Sequence, residues 1–263
     1  MASFLSQVSA SLGLTSITLL SLVGSAQAFS FVSEVEGSSA KGDIFLKAVV
    51  LETGERVVVE DLSFISGATI VSNDEFSGGN TGAASADKGD EATTGISQED
   101  ANAAEIVTNL TTANLNNIVD TEDSGSFQID LDFARAIDNL LIWERGKNSD
   151  LGVQALDDNG NLIGNFFKVS RDLWTDAGFS IDTTEIGNAQ AVGSFGLNIA
   201  QDLGVSGPVS RIRFSSESGF NGPDWKFVGT AAERESQSVP EPGLLLGLGL
   251  LSTFLVSKRS RLA

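Results

Sequence analysis

The sequence predicts a mainly β protein: an antiparallel β-sandwich of jelly-roll-like arrangement with one short helix, flanked by an N-terminal signal helix and a C-terminal transmembrane helix. Three observations predict it. Phe127, Ile129, Leu131 and Phe133 alternate with Gln128, Asp130 and Asp132, the period of a half-buried strand. Short apolar runs then recur between turn residues at fairly even spacing, and helices do not alternate with them, which argues against a parallel α/β sheet. Finally, an uncharged apolar stretch stands near each end of the chain, Leu12–Val23 and Gly243–Val256.

In chain order, residues 1–28 read as a secretory signal peptide. The stretch Leu12–Val23 precedes Ala26-Gln27-Ala28, an A-x-A cleavage pattern, although no Lys or Arg precedes the apolar stretch. The mature chain is expected to start at Phe29. Residues 29–229 form the ectodomain. Ile44–Leu51 and Arg56–Glu60 read as a hairpin around the turn Glu52-Thr53-Gly54. Residues 73–96, dense in Gly, Asn, Asp and Ser, read as a long loop. Ser97 is expected to cap a helix whose Ala103, Ile106, Val107 and Leu110 share one face. Leu140–Trp143 is a second, more fully apolar strand after Phe127–Phe133. Asn159-Gly160 is a strong hairpin signal between Val153–Leu156 and Leu162–Val169. Phe179–Thr183, Ala191–Leu197, Val209–Phe214 and Trp225–Val228 supply further strands, about eight to ten in all. A polar linker, 230–238, leads to a C-terminal segment, 239–263.

That segment opens with Val239, Pro240, Glu241 and Pro242. The two prolines block helix continuation from upstream. From Pro242 to Ser257 a helix would be about 24 Å long, slightly short of a hydrocarbon core of about 30 Å. Lys258, Arg259 and Arg261 follow and would hold the cytoplasmic side. The arrangement resembles the PEP-CTERM sorting signal, with Pro240, Glu241 and Pro242 matching its motif. The resemblance implies recognition by an exosortase, cleavage near the motif, and delivery to the surface or extracellular matrix of a Gram-negative-type cell. The body runs Asn139–Asn165, Gly78–Asp90 and Ser180–Gly187 resemble a cyanobacterial group of exosortase-dependent surface proteins. This implies an address and no particular chemistry.

Composition narrows the function classes. The chain has no Cys, so disulfides and thiolate chemistry are excluded, and no His, the commonest general base and transition-metal ligand. Its net charge is −19, and the chain before the three tail cations is more negative still. Nucleic acid, which needs a positive face, is therefore not an expected partner. Divalent cations are favoured as counter-ions. Asp74, Asp87, Asp90 and Glu91 are the candidate Ca2+ ligands, although no EF-hand spacing occurs. Trp174 and Trp225 are the candidates for stacking on sugar rings, and Trp143, inside an apolar strand, reads as core. Glu144, Glu185 and Glu217 could serve a carboxylate glycosidase, but nothing in the sequence pairs them.

The reading is thus a non-catalytic, exported surface or matrix protein. It would pass the secretion translocon and the inner membrane, reside there transiently, be processed by exosortase, and associate with exopolysaccharide. The alternative is a lectin-like carbohydrate-binding module, with or without calcium. An exposed Trp174 in a concavity favours the lectin, and three buried tryptophans favour the structural protein.

Overall fold

The computed structural model describes residues 28–78, 83–185 and 187–232. Ala26, the sorting motif Val239–Pro242, the apolar run after it and the cations Lys258, Arg259 and Arg261 lie outside the described residues. Among the described residues no helix is long and apolar enough to cross a membrane.

The described chain is mainly β, and every strand pairing is antiparallel. The strands are β1 (Phe31–Glu36), β2 (Phe45–Leu51), β3 (Arg56–Val58), β4 (Leu62–Ser63), β5 (Ile65–Asn73), β6 (Ala84–Lys88), β7 (Asn117–Thr121) and β8 (Phe127–Arg145), followed by β9 (Leu151–Leu156), β10 (Leu162–Val169), β11 (Thr175–Ile181), β12 (Gln190–Asn198), β13 (Val209–Ser216) and β14 (Asp224–Ala231). One helix, α1 (Ala103–Leu110), lies between β6 and β7.

The 19-residue strand β8 organises the molecule. Its first half pairs with β13 on one side and β5 on the other. Its second half pairs instead with β12 and β14. The two predicted segments, Phe127–Phe133 and Leu140–Trp143, are therefore one strand that belongs to two sheets. Register shifts in the partners gather at the changeover, between Ile65 and Gly67, Val209 and Arg211, and Thr230 and Ala231. Bulges of this kind bend a strand from one sheet into the next. Close approach is needed there as well. A Cβ on Gly229 would sit 2.2 Å from Ile137 Cγ2, so only glycine fits.

The first sheet runs β10-β9-β13-β8-β5. The second runs β11-β12-β8-β14-β7-β6, with β4 beside β14. Between them lies the larger core, with Phe127, Ile129, Leu131, Leu140, Ile142, Phe214, Trp225 and Phe227. A third layer, β1-β2-β3, covers the other face of the second sheet. Phe31, Leu46 and Val49 meet Leu141, Trp143, Val192 and Val228 there. The sandwich thus extends to three layers rather than two. This explains the unbroken apolar run at Leu140–Trp143, since its residues alternate between two cores and no polar face remains. Each such side chain contributes about 1.5–3 kcal/mol on burial.

Local expectations hold in several places and differ in others. The β2–β3 and β9–β10 hairpins form at the predicted turns. Asp157 accepts from the amides of Asn159 and Asn161, and Gly160 takes φ +83°. The helix begins later than Ser97 predicts. Asn102 caps it through the amides of Ala104 and Glu105, and the Glu105 carboxylate accepts from the Asn102 amide, closing a capping box. Gln98 is meanwhile held in a β-bridge to Ala86, which is incompatible with a helix starting at Ser97. Part of the expected loop 73–96 is strand β6. Its small residues are buried against β7 and α1 and show no alternation of large apolar groups.

Ala28 packs on the larger core, and Phe29 exchanges both backbone hydrogen bonds with Gly196.

Candidate functional site

Strand register gathers acids at one end of the second sheet. Ser85 lies opposite Asp120, and Asp87 opposite Ile118, so these four share a face across β6 and β7. Trp225 lies opposite Val119, which sets Asp224 beside Asp120 on that same face. Asp224 in turn lies opposite Arg145 of β8. The result is a row across four strands: Arg145, Asp224, Asp120 and Asp87, all buried.

Two loops add to the row. The segment after β11 folds onto β6 through a bridge between Gly89 and Thr183 and a bond from the Thr184 amide to the Lys88 carbonyl. This brings Glu185 over the strand, where Ser85 Oγ donates to it at 3.4 Å. The segment before α1 supplies Ser97 and Glu99, and Glu122 follows β7. Asp87 Oδ1 accepts from Ser97 Oγ at 3.0 Å, from Thr184 Oγ1, and from the Lys88 amide at 2.7 Å. Ser97, Glu99, Thr184 and Glu185 line a pocket of about 280 Å³ with Asp87 at its wall.

Burial first, and then the crowding of like charge, raises these carboxyls. Burial, then Asp120 and Glu122 beside it, push Glu185 up to about 10. Burial and the neighbouring Asp224 carry Asp120 well above the ordinary aspartate range. Burial, followed by the charge of Glu122, raises Glu99. Burial likewise pushes Asp224 up to about 6, although Asp120 and Arg145 pull the other way. Arg145 is itself committed to Asp224, at 3.1 Å, in an ion pair with both side chains buried. Its sequence neighbour Glu144 does not join this row. Antiparallel alternation sends the two to opposite faces.

Of the expected calcium ligands, only Asp87 belongs to this cluster. Asp74 lies at the end of β5 and accepts from the Ser126 amide at 2.9 Å. Asp90 pairs with Lys41 at 2.7 Å, and the Glu91 amide donates to the Lys41 carbonyl. The four expected residues do not converge, because Asp90 and Glu91 lie past the strand end, whereas β-pairing brings Asp120 near Asp87. No spacing pattern marks Asp120, Glu99 or Glu122. The one available signal was that two of the distinctive runs, Gly78–Asp90 and Ser180–Gly187, supply residues of the same cluster.

The stacking candidates are also corrected. Trp174 is 7% exposed and Trp225 fully buried, so neither offers a ring face to a sugar. Trp174 donates Nε1 to the Ser149 carbonyl at 2.8 Å and meets Phe195 edge-on. Its polar sequence neighbours belong to a short turn over the core. Trp225 stacks among Phe127, Phe214 and Phe227. Trp143 is core as expected, and its Nε1 donates to Ser33 Oγ. The three glutamates considered for glycoside cleavage do not converge. Glu144 is fully buried, Glu185 joins the acidic cluster, and Glu217 lines a separate pocket with Phe166 and Gln154.

No family model, curated protein or solved structure matches this chain.

Proposed function

We propose that this chain is an exported surface or extracellular-matrix protein, released from an exosortase-type sorting signal, with a non-catalytic sandwich ectodomain that associates with exopolysaccharide. The observation that carries the reading is the position of the strands. They run from Phe31 to Ala231, between the expected cleavage after Ala28 and the motif at Val239. Removal of residues 1–28 and of everything after the motif therefore leaves every strand of the described residues in place. The tail also departs from an interior strand, since β14 is bonded to β8 on one side and to β4 and β7 on the other. A pull on the tail would load a central strand rather than peel an edge. Burial of all three tryptophans supports the structural reading over the lectin. In this reading the segment 243–256 is a transmembrane helix that serves as a temporary handle.

Mass spectrometry of the protein from a native surface fraction tests this. The expected mature form starts at Phe29 and lacks the residues after about Pro242. An intact Lys258–Ala263 peptide on surface-localised protein would refute the processing. Cosedimentation with the host exopolysaccharide tests the association, and a protein left wholly in the supernatant would refute that part.

A further inference from the structure

We propose that the acidic end of the second sheet is a calcium site, with Asp87, Asp120 and Glu185 as its carboxylate ligands and Glu99 and Glu122 reinforcing it through Glu185. The geometry is that of a single ion. One oxygen from each of Asp87, Asp120 and Glu185 lies within 4.8 Å of the other two. Ligands of one calcium ion stand about 2.4 Å from it, so opposite ligands are about 4.8 Å apart. Glu99, Glu122 and Glu185 satisfy the same condition.

A second observation points to a ligand independently of the clustering. Asp120 is 3% exposed, and no N–H or hydroxyl donates to its Oδ2; its carboxyl meets only acidic side chains, those of Asp224 and Glu185, among the hydrogen-bonding contacts that surround it. A buried carboxylate oxygen left bare costs about 1–3 kcal/mol or more. No N–H or hydroxyl donates to Glu99 Oε2 either, and the Glu99 carboxyl meets that of Glu185. Both belong to the carboxylate groups that meet at Glu185. Among the described residues, Arg145 is ion-paired with Asp224 and acts on Asp120 less than burial and the neighbouring acids do, and Lys88 Nζ turns to the Ala92 carbonyl.

The donor set selects the ion. All the donors are oxygens, and the chain contains no His or Cys. Soft and borderline metals such as zinc or copper prefer nitrogen and sulfur. Magnesium prefers a near-octahedral shell and keeps most of its water. Several carboxylates from two strands and two loops, with the Ser97 and Thr184 hydroxyls nearby, suit the larger and less regular calcium shell. The ion would tie the segment at Glu185 and the segment at Glu99 to β6, at the end of the sheet, and to its neighbour β7. This inference stands apart from the export reading and can be tested on the purified chain alone.

The test is calorimetry on the full chain, purified in detergent micelles and stripped with chelator, titrated with calcium chloride and separately with magnesium chloride. Saturable calcium binding is expected, with Kd between about 10−6 and 10−3 M. Saturating calcium should raise the melting temperature by several degrees, because the ion binds the folded state. Asp120→Asn and Glu185→Gln should each weaken binding at least about tenfold. Asp74→Asn, at an exposed residue outside the cluster, should leave it unchanged. Circular dichroism checks that each variant is folded. If Asp120→Asn does not fold, Glu185→Gln, at a partly exposed loop residue, still decides the matter. Silence with both cations would overturn the site and leave shared protons as the way the cluster is neutralised. Magnesium binding without calcium binding would overturn the choice of ion. Calcium affinity untouched by Asp120→Asn and Glu185→Gln would place the ion elsewhere and overturn the assignment.

Discussion

The ammonium group of Lys226, wholly buried in β14, donates to the main-chain carbonyl of Asn109 in the last turn of α1. Helix C-termini leave carbonyls without intrahelical partners and carry partial negative charge, so a cation is well placed there. Thr112 Oγ1 stands 3.5 Å away as a second acceptor. Both partners are neutral. Burial accordingly pushes the Lys226 pKa down to about 7, against an ordinary 10.5.

The first prediction follows from that shift. Between about pH 7 and 10.5 the unfolded chain holds a proton on Lys226 that the folded chain does not. Stability therefore rises with pH across this window, by on the order of a few kcal/mol for this one group. Thermal melts of the parent and of Lys226→Met across the window check it. The parent should gain on the variant as the pH rises, and a constant difference would contradict the assignment.

Glu144 should behave with the opposite sense. It is fully buried, and burial raises its pKa to about 8, against the pull of Ser149 and the amides of Lys147 and Asn148. From about pH 4.5 to 8 the folded state holds the proton and the unfolded state does not. Stability from this group is complete below that window and is lost as pH rises through it. Glu144→Gln, which mimics the protonated form, should flatten that part of the profile. The decline in melting temperature from about pH 5 to 8 should be smaller in the variant than in the parent.

Asn109 is a buried polar hub. Its side-chain amide donates to the carbonyls of Asp87, Ile96 and Ile118, and its Oδ1 accepts from the Ile96 amide. It thereby joins α1 to β6, to β7 and to the segment before the helix. Asn109→Ala leaves these groups unpaired in the interior. A loss of about 2–5 kcal/mol is expected in urea unfolding, because each orphaned buried group costs about 1–3 kcal/mol. A loss below about 0.5 kcal/mol would mean that the network is not formed.

The tryptophans give a direct optical check. Trp143, Trp174 and Trp225 are all buried. Emission from the folded protein should be blue-shifted and resistant to iodide, and should move to the red on denaturation. Oligosaccharides should not alter it. Strong iodide quenching in the native state would restore Trp174 as an exposed ring.

Much of the fold was legible because burial of a strand shows in its own residues. Phe127–Phe133 announced one apolar face. Leu140–Trp143 announced two, although its reason, a third layer, was not visible. Asn159-Gly160 marked a turn by backbone chemistry alone. Less was legible where small or polar residues form strands, as in β6 and β7, and at the start of the helix. There Asn102 prevailed over Ser97, since the bridge between Gln98 and Ala86 is a contact across the fold.

By itself the sequence determined the β-rich class, the positions of most strands and turns, the absence of thiol and imidazole chemistry, and the acidic charge. Each of these is a property of composition or of neighbours a few residues apart. Only the tertiary structure decided that β8 serves two sheets, that Trp174 and Trp225 are interior, and that Asp87 meets Asp120 and Glu185 rather than Asp90 and Glu91. The physical reason is that these outcomes depend on the register between distant strands. Register is set by the joint burial of two cores, to which no single stretch of chain has access.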